Sequence, residues 1–514
     1  MTLSSPAPSA VPTEAAGSPE LGRRARWVAL VVLMLPVLLI AIDNTVLNFA
    51  LPQLSESFRP SGTQLLWVID VYPLVLAGLL VPMGATADRF GRRRMLMIGS
   101  AGFAAVSVLA AYAPSVEVLI GARALLGFFG AMLMPSTLSL LRHVFTDRNE
   151  RRTAIAVWAS GFGAGAALGP VVGGFLLEHY WWGSVFLIAV PVLVLLLVLA
   201  PVFLPESGDR QSRPIDLASV ALVLVAMTSL VFAIKTLAKD GVTAFAIATF
   251  AVGLVLGAAF VRRQLRLPHP MIEMSLFRRG AFSGAVVINL LSVFAMVGFL
   301  FFASQDLQLV HELGPMRASL VLLPGVVGTI AAGLLAARLV RRVRPVVVVA
   351  GGLVLSAGGY LMIAVGGGST SLGLLMAAFV LVAVGVGGAE TVSNDLILTA
   401  VPADKAGAAS AISETAYEVG SVLGTAVLGG LLSSAYARNV MLPDGVPAAD
   451  AQAAGETLGG AVEVARSLPP AQAADLVASA QAAFTSGVGL TSLIGAVLVL
   501  LAVGVAVTTL RHAR

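Results

Sequence analysis

The chain has no cysteine and only three lysines in 514 residues: Lys235, Lys239 and Lys405. The first absence removes disulfides and thiolate metal sites. The second removes a nucleotide motor, because a phosphate-cradling P-loop needs Gly-Lys-Ser/Thr. Here Ile234, Ala238 and Asp404 precede the lysines, and no soluble stretch is long enough for a nucleotide domain. An ATP-driven pump is excluded unless a partner supplies the motor. Charge is scarce, at 11% of residues against roughly a quarter in a soluble protein. The five histidines (143, 179, 269, 311 and 512) are scattered without ligand spacing, so no metal centre is expected. No nucleophile–base pair is visible, which argues against an enzyme.

What remains is apolar. Hydrophobic residues make up 58% and the mean hydropathy is +0.94. Runs of about 20 apolar residues recur throughout, the length that crosses ~30 Å of hydrocarbon. A transmembrane barrel would show short alternating segments instead. The expectation is an all-α integral membrane protein with fourteen spans. They lie near 27–50, 65–84, 95–113, 117–141, 152–177, 183–203, 216–236, 242–261, 280–303, 317–338, 345–365, 371–399, 406–433 and 484–509. Arginine and lysine set the sidedness: 25 of the 32 fall in alternate loops and both ends when the N-terminus is inside, so both termini are expected in the cytoplasm. That bias accounts for a pI near 9.9 without nucleic acid. Arg59, Lys235, Lys239, Arg317, Arg438 and Arg466 fall at outer segments or their borders, and Arg123 within a span.

The layout reads as a disordered cytoplasmic N-terminus (1–26), a six-helix bundle (27–203), two linking spans with cytoplasmic loops (204–279), a second six-helix bundle (280–509) and a short cytoplasmic tail (510–514). An outer, alanine-rich segment at 434–483 interrupts the second bundle. Its "SLPP" at 467–470 is expected to break it into two short surface helices.

Carboxylates inside spans favour a secondary transporter over a channel, since an ionised side chain near the bilayer centre is costly and tends to face a cavity and do work. Asp43, in "AIDNTVLNFALP", sits about 25 Å along its span at the standard rise. It either exchanges a proton or cation or is bonded structurally to a neighbouring helix.

Several motifs resemble the major facilitator superfamily. "GATADRFGRRRM" (84–95) resembles its loop signature, in which Asp88 and Arg92 form an inner-face charge lock, Arg89 belongs to the same gating motif, and Gly84 and Gly91 permit close approach and a tight turn. "GAALGPVVGG" (165–174) resembles the exporters' span-5 motif. Gly165, Gly169, Gly173 and Gly174 leave one face flat for packing, and Pro170 removes a hydrogen bond. Arg123, in "ARALLGFFGA", resembles a buried arginine tied to proton transfer; the alternative is snorkelling to the interface. "IDNTVLNFALP" resembles the first span of fourteen-span drug/proton antiporters.

The resemblance covers nearly the whole chain and implies a 6+2+6 major facilitator fold. It implies a monomeric, proton-coupled multidrug antiporter of a bacterial cytoplasmic membrane, exporting lipophilic cations and driven by the proton gradient without a cofactor. A dedicated exporter of one antibiotic or metabolite is the runner-up, ahead of a lipid flippase or a channel. Its partners would be cationic or lipophilic small molecules, protons and membrane lipids, with no nucleic acid. Asp70, beside Tyr72 in "WVIDVYPLVLAG", resembles the acid of quaternary ammonium and dye exporters and is placed at the outer mouth. Glu414 and Glu418 are i, i+4 on one helix face with Tyr417 beside them. Proton coupling is thus expected at Asp43, Arg123, Glu414 and Glu418. Substrate contacts are expected at Asp43, Asp70, Tyr72, Asp306, Glu390, Glu414, Tyr417 and Glu418, and gating at Asp395.

Overall fold

The computed structural model describes residues 22–206, 216–268, 270–366, 371–401, 406–443 and 446–511. The N-terminal stretch expected to be disordered lies largely outside the described residues. The first helix begins at Arg23, four residues before the expected span.

The described residues are all-helical. In order they form α1 (Arg23–Phe58), α2 (Gly62–Phe90), α3 (Arg92–Ala111), α4 (Val116–Val144), α5 (Arg148–His179), α6 (Ser184–Leu187) and α7 (Ala189–Phe203). Next come α8 (Leu217–Asp240), α9 (Ala244–Arg266), α10 (Gly280–Gln305), α11 (Pro315–Leu339), α12 (Pro345–Val365) and α13 (Leu372–Thr399). The chain ends with α14 (Ala406–Gly424), α15 (Gly430–Asn439), α16 (Ala448–Glu456), α17 (Leu458–Ala465) and α18 (Pro470–Leu510). Two π-turns, Asp306–Val310 and Thr425–Gly429, interrupt the helical register. Among the described residues, thirteen helices are long and apolar enough to cross a membrane, with α6–α7 and α14–α15 each counted as one. The 32-residue α5 lies outside that count and packs beside α1 and α11.

Local sequence sets the helix ends. Ser61 and Gln64 form a reciprocal capping box on α2, Ser115, Asp216, Thr243 and Ser371 cap α4, α8, α9 and α13, and proline opens α11, α12 and α18. Each cap satisfies amide donors that the first turn leaves free. Prolines inside α1, α2, α4, α5 and α11 are tolerated because neighbouring helices cover the freed backbone groups. Pro170 lies within α5, which continues to His179.

Packing divides the helices into two groups. The first is α1–α7; the second is α10–α15 with α18, and the hairpin α8–α9 rests against α2 and α15. The hairpin is tied at one end by a forked pair, Arg263 Nε and Nη2 donating to Asp216 at 2.8 and 2.9 Å. The terminal face is the one where α1 begins and α18 ends, and the far face is its opposite.

The segment after α15 departs from its expected form. Two short helices are present, but α16 and α17 meet at Thr457, and both precede "SLPP". Pro470–Leu510 form one 41-residue helix that runs on into the last span, because proline in the first turn starts a helix as readily as it ends one. The two short helices clamp the tip of the first bundle: Arg59 pairs with Asp450 at 3.0 Å and Glu463 at 3.5 Å, and Arg466 pairs with Glu463 at 2.9 Å and with Glu56. The Gly62 amide donates to Glu456 at 3.0 Å. These exposed pairs contribute up to about 1 kcal/mol each, so the double change Arg59→Glu and Arg466→Glu is expected to free the clamp without unfolding the chain. Faster hydrogen exchange confined to α16 and α17 would show this; unchanged exchange there would refute it.

Candidate functional site

Among the described residues, the hydrogen bonds and ion pairs that cross between the bundles lie at mid-height or at the far face. Gln308 donates to the Phe49 carbonyl at 3.1 Å, and the Met316 amide approaches Glu178 at 3.4 Å. Toward the terminal face the bundles part around a cavity of about 580 Å³, within the size range of drug-binding clefts. Asp88, Arg92, Arg142 and His143 stand at its mouth side, Pro135 and Trp158 line its wall, and Glu414 lies on the opposite bundle.

The loop motif is built as its residue types suggest. Arg92 Nε donates to Asp88 at 2.8 Å across the α2–α3 turn. Gly91 makes that turn with φ +107°, a region costly for any side chain. Gly84 faces Pro135 of α4 so closely that a Cβ would stand 3.3 Å from it. Arg89 instead lies over the neighbouring Phe90 ring.

Above the cavity the acids form two groups. Asp43 is buried and accepts from Arg123 Nη1 at 2.6 Å. Arg123, itself 1% exposed, also donates to the Val68 carbonyl at 3.1 Å and lies 4.5 Å over the Tyr72 ring. Arg123 is therefore a buried partner and does not snorkel. Next to Asp43 on α1, Asn44 reaches across the bundle interface to Glu418, its Nδ2 3.5 Å from Oε1. Glu418 is buried, and Glu414, one turn along the same face, lines the open cavity. A second, smaller cavity of about 130 Å³ lies between the bundles, lined by Asn44, Thr45, Pro170, Glu390, Tyr417 and Ser421 among apolar side chains.

Three expectations change, for Asp70, Lys235 and Asp306. Asp70 is not at an open outer mouth: it is fully buried and pairs with Lys235 of α8 at 2.9 Å. Lys235, read from sequence as a border charge, is a buried intrahelical residue; the overall arginine and lysine bias survives its removal. Asp306 is buried in its π-turn, with His311 Nε2 at 3.5 Å, away from both cavities. Asp395 is exposed near the end of α13. The glycines of α5 pack in two directions. Gly165, Gly169 and Gly173 press on Ala41, Thr45 and Val46 of α1, whereas Gly174 faces Met316 and Ser319 of α11 in the other bundle.

Sequence reasoning passed over Asn44 and the pairing of Lys235 with Asp70. Asn44 had a signal, a second polar residue beside Asp43 in an apolar run. Lys235 had one too, as a rare lysine ahead of the end of "LVFAIKTLAKD". Nothing in sequence reveals the Val68 carbonyl as an arginine acceptor.

The fold and the sequence both have relatives. A bacterial homologue of the human lysosomal transporter Spinster, in an inward-facing, unoccupied conformation, superposes with a TM-score of 0.62 at 16% identity, covering 96% of this chain and all of that one. The chain is 55% identical to the multidrug efflux pump LfrA of Mycolicibacterium smegmatis, over 93% of its length and 95% of the relative's. It is 38% identical to the methyl viologen resistance protein SmvA of Salmonella typhimurium (93% and 97%) and 32% identical to the tetracenomycin C resistance and export protein of Streptomyces glaucescens (97% and 94%). Residues 33–425 match the Major Facilitator Superfamily, with all-helical packing and transporter-like neighbours to accompany the match, and the chain belongs to that superfamily as a multi-pass membrane transporter.

Proposed function

We propose that the chain is a proton-driven multidrug exporter of lipophilic cations. The observation that carries this reading is the row of acids leading inward from the 580 Å³ cavity: Glu414 on its wall, Glu418 one turn deeper, then Asn44 and the Asp43–Arg123 pair in the opposite bundle. The relatives named for multidrug efflux and for resistance to methyl viologen, a dication, support it.

The arginine-rich loops support a cytoplasmic terminal face in this reading, in a bacterial cell membrane, with the chain working as a monomer and driven by the proton gradient. The cavity then opens inward. A lipophilic cation enters it and meets Glu414, whose proton it displaces. An apolar wall with a few acids and aromatics tolerates varied cations because neither contact demands a fixed geometry. The proton on Glu418 or Asp43 couples the bundles: with Asp43 ionised, Arg123 is held between α1, α2 and α4, and protonation of Asp43 releases that cation from its partner. Exchange of one monovalent cation for one proton is electroneutral; a dication needs more than one proton to draw on the membrane potential, worth ~2.3 kcal/mol per charge per 100 mV.

A dedicated exporter of one antibiotic is the second reading, favoured by the relative named for tetracenomycin C. A growth-inhibition panel in an exporter-deficient bacterium separates the two. Raised tolerance to several quaternary ammoniums and dyes supports the first reading, and tolerance to a single uncharged antibiotic supports the second. Glu414→Gln is expected to remove most tolerance to monovalent and divalent cations alike, since it lines the cavity that either would occupy. Full tolerance to both classes in that variant would take Glu414 out of the mechanism.

A further inference from the structure

Lys235 is one of three lysines in the chain, and its side chain is only 1% exposed inside α8. Its Nζ lies 2.9 Å from Asp70 Oδ2 and 4.0 Å over the Trp67 ring. Trp67 and Asp70 are three residues apart on α2, so one helix face presents both. A carboxylate beside an aromatic face is the chemistry that recognises an organic cation. The ammonium filling it comes from a hairpin that belongs to neither bundle. Below it, Leu74, Val231, Val422 and Ala426 close an apolar seal at the meeting of α2, α8 and the second bundle. Beside it, toward the far face, Lys235 also lines a cavity of about 440 Å³ with Thr63, Leu66, Ser433, Ser434 and Arg438.

We propose that Trp67 and Asp70 form a second cation site near the far face, and that Lys235 is its tethered competitor. The inference rests on the reading of the chain as a cation exporter and adds a step at release. One buried carboxylate cannot neutralise two cations, because the second would be left unpaired in a dry environment. A substrate cation therefore reaches Asp70 only when the lysine swings into the adjoining cavity, and it loses the site when the lysine returns. An attached competitor acts at an effective concentration in the millimolar range or above, so it weakens substrate binding on the side where release occurs.

The test uses the native chain first. Saturating tetraphenylphosphonium is expected to raise acylation of Lys235 by an amine-reactive reagent several-fold, read by mass spectrometry with Lys239 and Lys405 as internal references. Unchanged acylation of Lys235 at saturation overturns the proposal, whatever the behaviour of any variant. In membranes or nanodiscs, Lys235→Met is expected to bind tetraphenylphosphonium more tightly than wild type, Lys235→Arg to bind it about as wild type does, and Asp70→Asn on the Lys235→Met background to lose the gain. A gain that survives Asp70→Asn also overturns it, since the added affinity would then lie elsewhere. Unchanged acylation in a chain that still confers cation tolerance removes the tethered competitor alone, whereas absence of tolerance to any cation removes the export reading.

Discussion

Replacing Asp43 with asparagine abolishes cation tolerance while leaving the protein in the membrane. The expectation follows from the environment of Arg123. Its guanidinium is buried, and Asp43 is its one carboxylate partner among the described residues. Truncating one member of a buried pair strands the other and costs about 3–5 kcal/mol. Asparagine is gentler than truncation because its carbonyl oxygen can still accept from Nη1 at the place where the carboxylate does, and the Val68 carbonyl and the Tyr72 ring remain. What asparagine cannot do is take up and give back a proton. Transport is therefore expected to fall to background, with the amount of protein in the membrane reduced far less. Immunoblotting of membranes alongside the drug panel separates the two effects. Wild-type tolerance to every cation in Asp43→Asn would reduce Asp43 to a structural anchor for Arg123.

Much of this arrangement was legible in sequence, for a physical reason. Hydropathy is read one segment at a time, and in a bilayer each helix satisfies its own backbone, so spans and the all-helical class need no knowledge of neighbours. Short-range chemistry was legible too: the Asp88–Arg92 pair spans four residues, and the turn at Gly91 is a property of that one glycine. Pairings between distant segments were not. Asp70 looked like an acid open to substrate because its partner, Lys235, is 165 positions away and was itself read as a charge at a span's outer border. The Asn44–Glu418 contact joins two bundles across 374 positions of chain. "SLPP" parts α17 from α18 and not the two short helices from each other, which meet at Thr457, and sequence alone did not say that the helix on its far side would fuse with the last span.

The glycine motif of α5 carries the second large prediction, and its four glycines should not behave alike. A Cβ at Gly165 would stand 2.6 Å from the Ala41 Cβ and 2.8 Å from the Leu38 carbonyl, and Gly169 and Gly173 are similarly pressed by Thr45 and Val46. All of those contacts lie on α1 in the same bundle, which moves as a unit, so bulk there disturbs every conformation. Gly169→Val is expected to lower the amount of folded protein.

Gly174 faces the other bundle: a Cβ would stand 2.9 Å from Met316 Cα and 3.0 Å from the Pro315 carbonyl, both backbone atoms that no rotamer change can withdraw. The clash exists only while the far face is closed. Overpacking of this kind costs about 1–3 kcal/mol, and since 1.4 kcal/mol is tenfold, Gly174→Val is expected to shift the balance toward the far-open state by roughly 5- to 150-fold. The absence of cysteine makes this measurable. Ser421 lines the small central cavity, so a single Ser421→Cys reports access from the far face through its rate of reaction with a membrane-impermeant maleimide. That rate should rise sharply when Gly174→Val is added, with normal protein levels. An unchanged rate would mean that the α5–α11 contact at Gly174 does not hold the far face shut.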